Sequence, residues 1–231
     1  DTYMLDESDN AELKEFCNRQ EIIYFSRKNK PQYQENGPPF QAKTKAGNLN
    51  AWLDTFGRQY EFVAFFDTDH QPHIFYLDRV LGYFKDPRVG FVQAPQIFRN
   101  SKESWIATGA DEQNAYFVGP IQMGLYGTDS NVVNGSHSTF RLEALRDIQY
   151  YAVHNADDIL TSLRLHAKGW RGVNVPEILA LGLTPHLWKD YLMQQYRWSH
   201  STFDIFLHYL PKYVRSLSLN QVLSYATLGL Y

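Results

Sequence analysis

The stretch "FVAFFDTDHQP", residues 62 to 72, decides how the rest of the chain is read. Phe62 to Phe66 form a continuous apolar run of the kind a buried parallel strand requires. The run stops at Asp67 and Asp69, one residue apart, with His70 beside them. Packing gives no reason for that ending, because carboxylates at the tip of a buried strand are costly unless compensated. A hard divalent cation, Mg²⁺ or Mn²⁺, would compensate them and leave coordination sites for phosphate oxygens. The spacing alone describes two acids on a solvated turn equally well, and Pro72 suits both readings.

Outward from this strand, short apolar runs alternate with helical patterns. "YMLD" and "IIYFSR" (22–27) read as strands, and the polar, Pro- and Gly-containing segment 28–39 as a loop. Leu49, Trp52, Leu53 and Phe56 recur at helical spacing, as do Ile74, Leu77, Leu81 and Phe84. "VGFVQAPQIF" reads as a strand made irregular by Pro95, and "VNVPEILAL" as another short strand. "DDILTSLRLHAKGW" is a helix with acids in its first turn and Gly169 as its stop, and 188–210 is a long helical stretch. Residues 100–130 show no clear period. Strands alternating with helices predict an α/β domain with ligands at the strand ends.

The 231 residues suit one large α/β domain or two small ones, and 44% hydrophobic content supports a sizeable core. Aromatics reach 16%, which fits a sugar- or base-lining surface and fits a bulky core as well. A net charge of -3 gives no nucleic-acid footprint. Cys17 alone excludes a disulfide framework and a cysteine-rich zinc site. The closing run "LNQVLSYATLGLY" is shorter than the ~18 apolar residues of a membrane span. The chain is expected to be an excised piece, cut at both ends.

Further candidates lie along the chain. Asp6 closes the first strand and is expected at the same rim as Asp67, with Ser8 or Asp9 capping the next helix. Lys45, in "KAGNLN", precedes a helix, where a phosphate is welcome. "NGSHS" (134–138) is a small polar turn; its sequon at Asn134 is discounted because these residues are expected to lie buried in a site. Asp157 and Asp158 open a helix, either as caps or with one as a general base whose pKa the helix dipole lowers. Gln194 and Arg197 stand at i and i+3 on one helix face, and Trp198 follows. The arginine suits a diphosphate and the indole suits a sugar ring, or the helix is amphipathic with a packed Trp.

The order of these elements resembles the membrane-embedded processive glycosyltransferases of family 2, nearest the cellulose synthase group, with hyaluronan and chitin synthases as relatives. The resemblance implies a GT-A-like domain over 1–210, lacking the family's first strand, built on a central mixed, mostly parallel sheet flanked by helices. It implies an interfacial segment and the start of a transmembrane helix over 211–231. Asp6, Lys45, Asp67, Gln194 and Arg197 would contact the donor. Asp69 and His70 would hold Mg²⁺ or Mn²⁺, and Asp158, the last acid of the Thr-Glu-Asp motif, would be the general base. Trp198 of Gln-x-x-Arg-Trp would stack on the acceptor, near Gly135 and Ser136 of the acceptor turn.

The reaction so implied is inverting transfer from UDP-glucose, with UDP-GlcNAc as the alternative donor, to a growing β-linked polysaccharide. Its expected place is the cytoplasmic face of the plasma (inner) membrane. The motifs depart from the family at Ala156-Asp157-Asp158 for Thr-Glu-Asp, at Val132-Val133-Asn134-Gly135-Ser136 for Phe-Phe-Cys-Gly-Ser, and at residues 199–202. Two other classes use the same acids: a metal-dependent phosphoesterase, and an inactive carbohydrate-binding domain.

Overall fold

The computed structural model describes residues 1–230. A first layer is a two-stranded parallel sheet of β1 (Tyr3–Leu5) and β2 (Ile23–Phe25), joined by α1 (Ala11–Arg19). The cap of α1 is Asn10, whose side chain accepts from the Leu13 N–H, and not Ser8 or Asp9. Residues 28–44 form a loop gathered around Arg27, which is fully buried. Its guanidinium pairs with Glu7 and donates to the carbonyls of Tyr33, Phe40, Gln41 and Thr44 at 2.8–3.2 Å. That loop delivers the chain to α2 (Lys45–Phe56), capped by Thr44. Leu49, Trp52 and Leu53 are buried, as their spacing predicts.

The central sheet runs in the order β3 (Phe62–Phe65), β7 (Ser138–Arg141), β5 (Val89–Gln93), β8 (Arg171–Asn174). β7 is antiparallel to both neighbours and β5 is parallel to β8, so β3, β5 and β8 share one direction. The strand β5 is buried along its whole length. β3 lies at an edge of this sheet and is half-buried, so its unbroken apolar run packs around an edge position.

A smaller sheet joins β4 (Gln71–Pro72), β9 (Ala180–Gly182) and β6 (Ile97–Phe98). Pro95 breaks the expected "VGFVQAPQIF" strand into β5 and β6, and Pro176 likewise ends β8 before β9 begins. Each break passes the chain from the central sheet to the smaller one. The smaller sheet is therefore built at the carboxyl ends of the central strands.

Between β4 and β5 lies the short α3 (Tyr76–Val80), continued by a 3₁₀ turn to Lys85. Its buried stripe is Tyr76, Val80 and Phe84, whereas Ile74, Leu77 and Leu81 are exposed, which corrects the expected stripe. The unassigned region 100–130 contains α4 (Trp105–Tyr116) and α5 (Gln122–Tyr126), separated by a π-helical turn at Gly119-Pro120. Pro120 has no N–H to give to the α-helical ladder, which accounts for the irregular turn there.

The remaining helices are α6 (Leu142–Asp147), α7 (Asp157–Ala167), α8 (Trp188–Asp204), α9 (Leu210–Tyr213) and α10 (Leu219–Leu230). The start and middle of α7, the π-helical turn that follows α8, and α10 share a core of Ala156, Leu160, Leu163, Ile205, Tyr225 and Leu228. No described helix is long and apolar enough to cross a membrane.

Candidate active site

Asp67 lies two residues beyond the end of β3, and its N–H donates to Ser136 Oγ at 3.0 Å. Its carboxylate pairs with the Lys45 ammonium from the first turn of α2. Burial opposes the charge on Lys45, but Asp67, with Asp157 and Asp158 behind it, holds the ammonium above its ordinary pKa. The structure thus brings Lys45, Asp67, Ser136 and the two acids of α7 to one rim. Gly47 serves packing rather than phosphate approach: a Cβ there would lie 2.2 Å from the Gln41 carbonyl oxygen.

The turn 132–137 is fixed from beneath by a residue that has no motif to announce it. Gln93, buried at the end of β5, donates to the carbonyls of Ala94 and Ser136 at 2.7 and 2.9 Å and accepts from the Asn134 N–H at 2.8 Å. From the other side, the Val133 N–H donates to Ser162 Oγ, which donates to the Asp158 carbonyl, each at 2.8 Å. Gly135 takes φ +64°, the left-handed region that favours glycine, with its missing Cβ facing Asp158 Oδ2 at 3.8 Å. Gly135 and Ser136 are thereby held against the opening of α7.

Asp157 and Asp158 sit in the first turn of α7, where the helix dipole predicts lowered pKa values. The structure corrects this. Burial and the neighbouring Asp158 charge push Asp157 up to about 7. Burial also raises Asp158, against hydrogen bonds from the Ile159 and Gly135 N–H groups and the charge of Lys45. A dipole contributes roughly 1 kcal/mol, less than one pKa unit, so desolvation wins. The arrangement holds a carboxylate of raised basicity beside a small polar turn.

Asp69 is exposed and His70 is nearly sealed, with side-chain exposures of 45% and 3% and Nε2 lying 3.9 Å from Asp69 Oδ1. His70 packs on β9, where a Cβ at Gly182 would come within 2.3 Å of its Nε2. It also meets the His137 ring edge-on at 4.6 Å, and its buried Nδ1 has no partner among the described residues. Desolvation lowers its pKa despite the nearby Asp69 and Asp67. Among the described residues no three His, Cys, Asp or Glu side chains form a ready cage for a metal. The donor set still fits Mg²⁺ or Mn²⁺, because such ions need only one or two carboxylates when phosphate oxygens and water complete the shell.

Asp6 is not brought to the Asp67 rim by any contact among the described residues. Its Oδ2 accepts from Tyr24 OH, Ser8 Oγ and the N–H groups of Ser8 and Asp9 at 2.6–3.1 Å. Burial of Asp6 is outweighed by these donors, which lower its pKa. Gln194 and Arg197 line one surface cleft of about 570 Å³ with Asn155, Pro185 and His200. Asn155 lies two residues ahead of Asp157, so this cleft adjoins the acids. Trp198 is exposed on α8 but lies outside the lining of that cleft.

This architecture is GT-A-like. The fold is similar to a mannosyltransferase from Pyrobaculum calidifontis solved with GDP-Man and Mn²⁺ (TM-score 0.62, 17% identity, covering 98% of this chain and 59% of that one). It is also similar to glucosyl-3-phosphoglycerate synthase from Mycobacterium tuberculosis solved with Mn²⁺ and UDP-glucose (TM-score 0.52, 13% identity, 85% of this chain and 63% of that one). Residues 62–230 match the family described as Glycosyl transferase family group 2, and the chain belongs to that family. It is cellulose synthase-like: over 170 residues it is 32% identical to a UDP-forming cellulose synthase catalytic subunit of Dictyostelium discoideum. That alignment covers 70% of this chain and 16% of the relative's length.

Proposed function

We propose that this domain transfers a sugar from a UDP-sugar, glucose before N-acetylglucosamine, to the hydroxyl end of a growing β-linked polysaccharide, with inversion. The observation that carries the reading is the convergence of Lys45, Asp67, the Gly135-Ser136 turn and the raised-pKa acids of α7 at one rim.

Asp158 takes the proton of the acceptor hydroxyl as that oxygen forms its bond to the anomeric carbon. The bond from that carbon to the diphosphate oxygen breaks on the opposite face, so an α-linked donor gives a β-linked product. Charge gathers on the departing diphosphate, and Lys45 and Arg197 are the cations of this chain suited to meet it. Asp69 and His70 would hold Mg²⁺ or Mn²⁺, which supplies further positive charge to the diphosphate, and Asp67 would contact the donor beside them. Gly135 and Ser136 present the acceptor edge, and Trp198 offers a stacking face to the sugar beyond it. Asp6 would meet the nucleoside with the oxygen left free by its local hydrogen bonds.

The catalytic domain would comprise residues 1–210, with α10 packed against α7 and the turn after α8, and 211–231 would lead towards a membrane, with the site facing the cytoplasm in the full-length protein. The test is product analysis with the full-length protein in membranes, offered a panel of nucleotide sugars. A β-linked polymer from one UDP-sugar is the expected outcome; hydrolysis of phosphoesters without transfer would overturn it. Trp198→Ala should reduce polymer length more than donor hydrolysis, and equal losses would remove its acceptor role.

A further inference from the structure

The reaction scheme leaves unused a half-buried polar link beside the acids. His154 lies four residues before Asp158, and its Nδ1 accepts the Ala156 N–H at 3.1 Å. The ring proton is therefore on Nε2, which donates to Asp204 Oδ2 at 2.8 Å. The other oxygen of Asp204 accepts from His208 Nδ1 at 2.7 Å. The ring of Tyr209 meets the His154 imidazole edge-on at 5.4 Å.

The placement of these residues gives the link its meaning. Asp204 is the last residue of α8, and the π-helical turn Ile205–Tyr209 starts immediately after it. Ala156, the residue that opens α7, offers no side-chain cap. The imidazole therefore takes up a backbone N–H that the sequence would otherwise leave to water at this helix start.

α8 has Ser201 as its only buried residue and packs against α10. Towards its amino end, Gln195 and Tyr191 bond to Gln113 of α4. At its carboxyl end the polar attachment is Asp204 to His154, beside the core that Ile205 shares with Ala156 and Leu160.

We propose that the His154–Asp204 pair is a positioning latch, which sets the distance between the base-bearing start of α7 and the Gln194–Arg197 face of α8. Neither residue touches the reacting atoms. The latch keeps the acceptor-side carboxylate and the diphosphate-side arginine in line across the anomeric carbon, and it rests on the roles proposed above for Asp158 and Arg197.

The test uses the full-length enzyme with Asp204→Ala, Asp204→Asn, His154→Ala and the double alanine variant. Asp204→Ala should lower kcat about tenfold while leaving the donor KM within about twofold, the size of loss expected from sub-ångström misplacement. Asp204→Asn keeps an acceptor for the Nε2 proton and should restore most of that loss. The double alanine variant should be no slower than the worse single one, because both residues serve one link. Amide hydrogen exchange over residues 156–160 should quicken in Asp204→Ala. His208→Ala removes only the exposed partner and should leave kcat within about twofold. Additive losses, a failure of Asp204→Asn to rescue, or unchanged exchange over 156–160 would each overturn the latch. Retained turnover in Asp158→Asn would instead overturn the base assignment, and the exchange result keeps the two failures apart.

Discussion

Asp158 shows how local environment overrides local sequence. A helix start favours the ionised carboxylate, yet the burial of two adjacent acids favours the proton, and burial is the larger effect. Burial raises both acids, so the free enzyme should show the rising limb of kcat/KM displaced above the ordinary carboxylate range. Asp158→Asn should cut transfer by about 10²–10⁴-fold while nucleotide affinity measured by calorimetry stays unchanged. Turnover near wild type would end its assignment as base.

The same shift predicts a stability effect. Asp157 has its folded pKa raised above 3.8, so its contribution is fully present below the unfolded value and is lost as pH rises towards about 7. Asp157→Asn, which removes a charge buried at a cost, should therefore raise the melting temperature more at pH 8 than at pH 5. An equal gain at both values would contradict the shift.

At the scale of elements, β9 places its glycine against the imidazole that follows the two aspartates. A Cβ at Gly182 would approach His70 Nε2 to 2.3 Å, so one of them must move. Gly182→Ala should weaken Mn²⁺-dependent nucleotide binding about tenfold, the scale of disturbances behind a metal ligand, without altering Asp69 itself. Titration calorimetry with and without Mn²⁺ decides this, and an equal effect in both conditions would leave His70 outside the metal site.

Much of this layout was legible in the sequence. The helical face of Leu49, Trp52 and Leu53, the interruption at Pro95 and the acids of α7 are local patterns that survive folding unchanged. Other parts were not legible, for physical reasons. α4 buries Ile106, Ala107, Ala110 and Asn114, a stripe of small and polar residues with little apolar contrast. α3 buries Tyr76, Val80 and Phe84 while leaving apolar neighbours in solvent, so hydrophobicity pointed to the wrong face. Gln93 and Arg27 act through long-range bonds to backbone carbonyls, and no spacing rule encodes those partners. A buried glutamine or arginine is the one available cue, and burial is known only after folding.

For the whole molecule, the site is assembled from distant parts of the chain: α2, the ends of β3 and β5, the 132–137 turn, the start of α7 and the middle of α8. No one layer holds it, so a ligand that bridges these parts stabilises the folded state as a unit. UDP alone adds phosphate charge to a rim already carrying Asp67, Asp69, Asp157 and Asp158. Metal alone finds no three-ligand cage among the described residues. Together they complete one another, the ion neutralising the diphosphate and the diphosphate completing the ion's shell. At about 100-fold above the dissociation constant, the pair should stabilise by about 2.7 kcal/mol, or roughly 5–10 °C in melting temperature for a chain of this length. UDP or Mn²⁺ offered singly should shift it by under about 2 °C, and Asp69→Ala should abolish the joint effect while leaving the baseline melting temperature in place. A full shift with UDP alone would place nucleotide binding outside the Asp67–Asp69 rim.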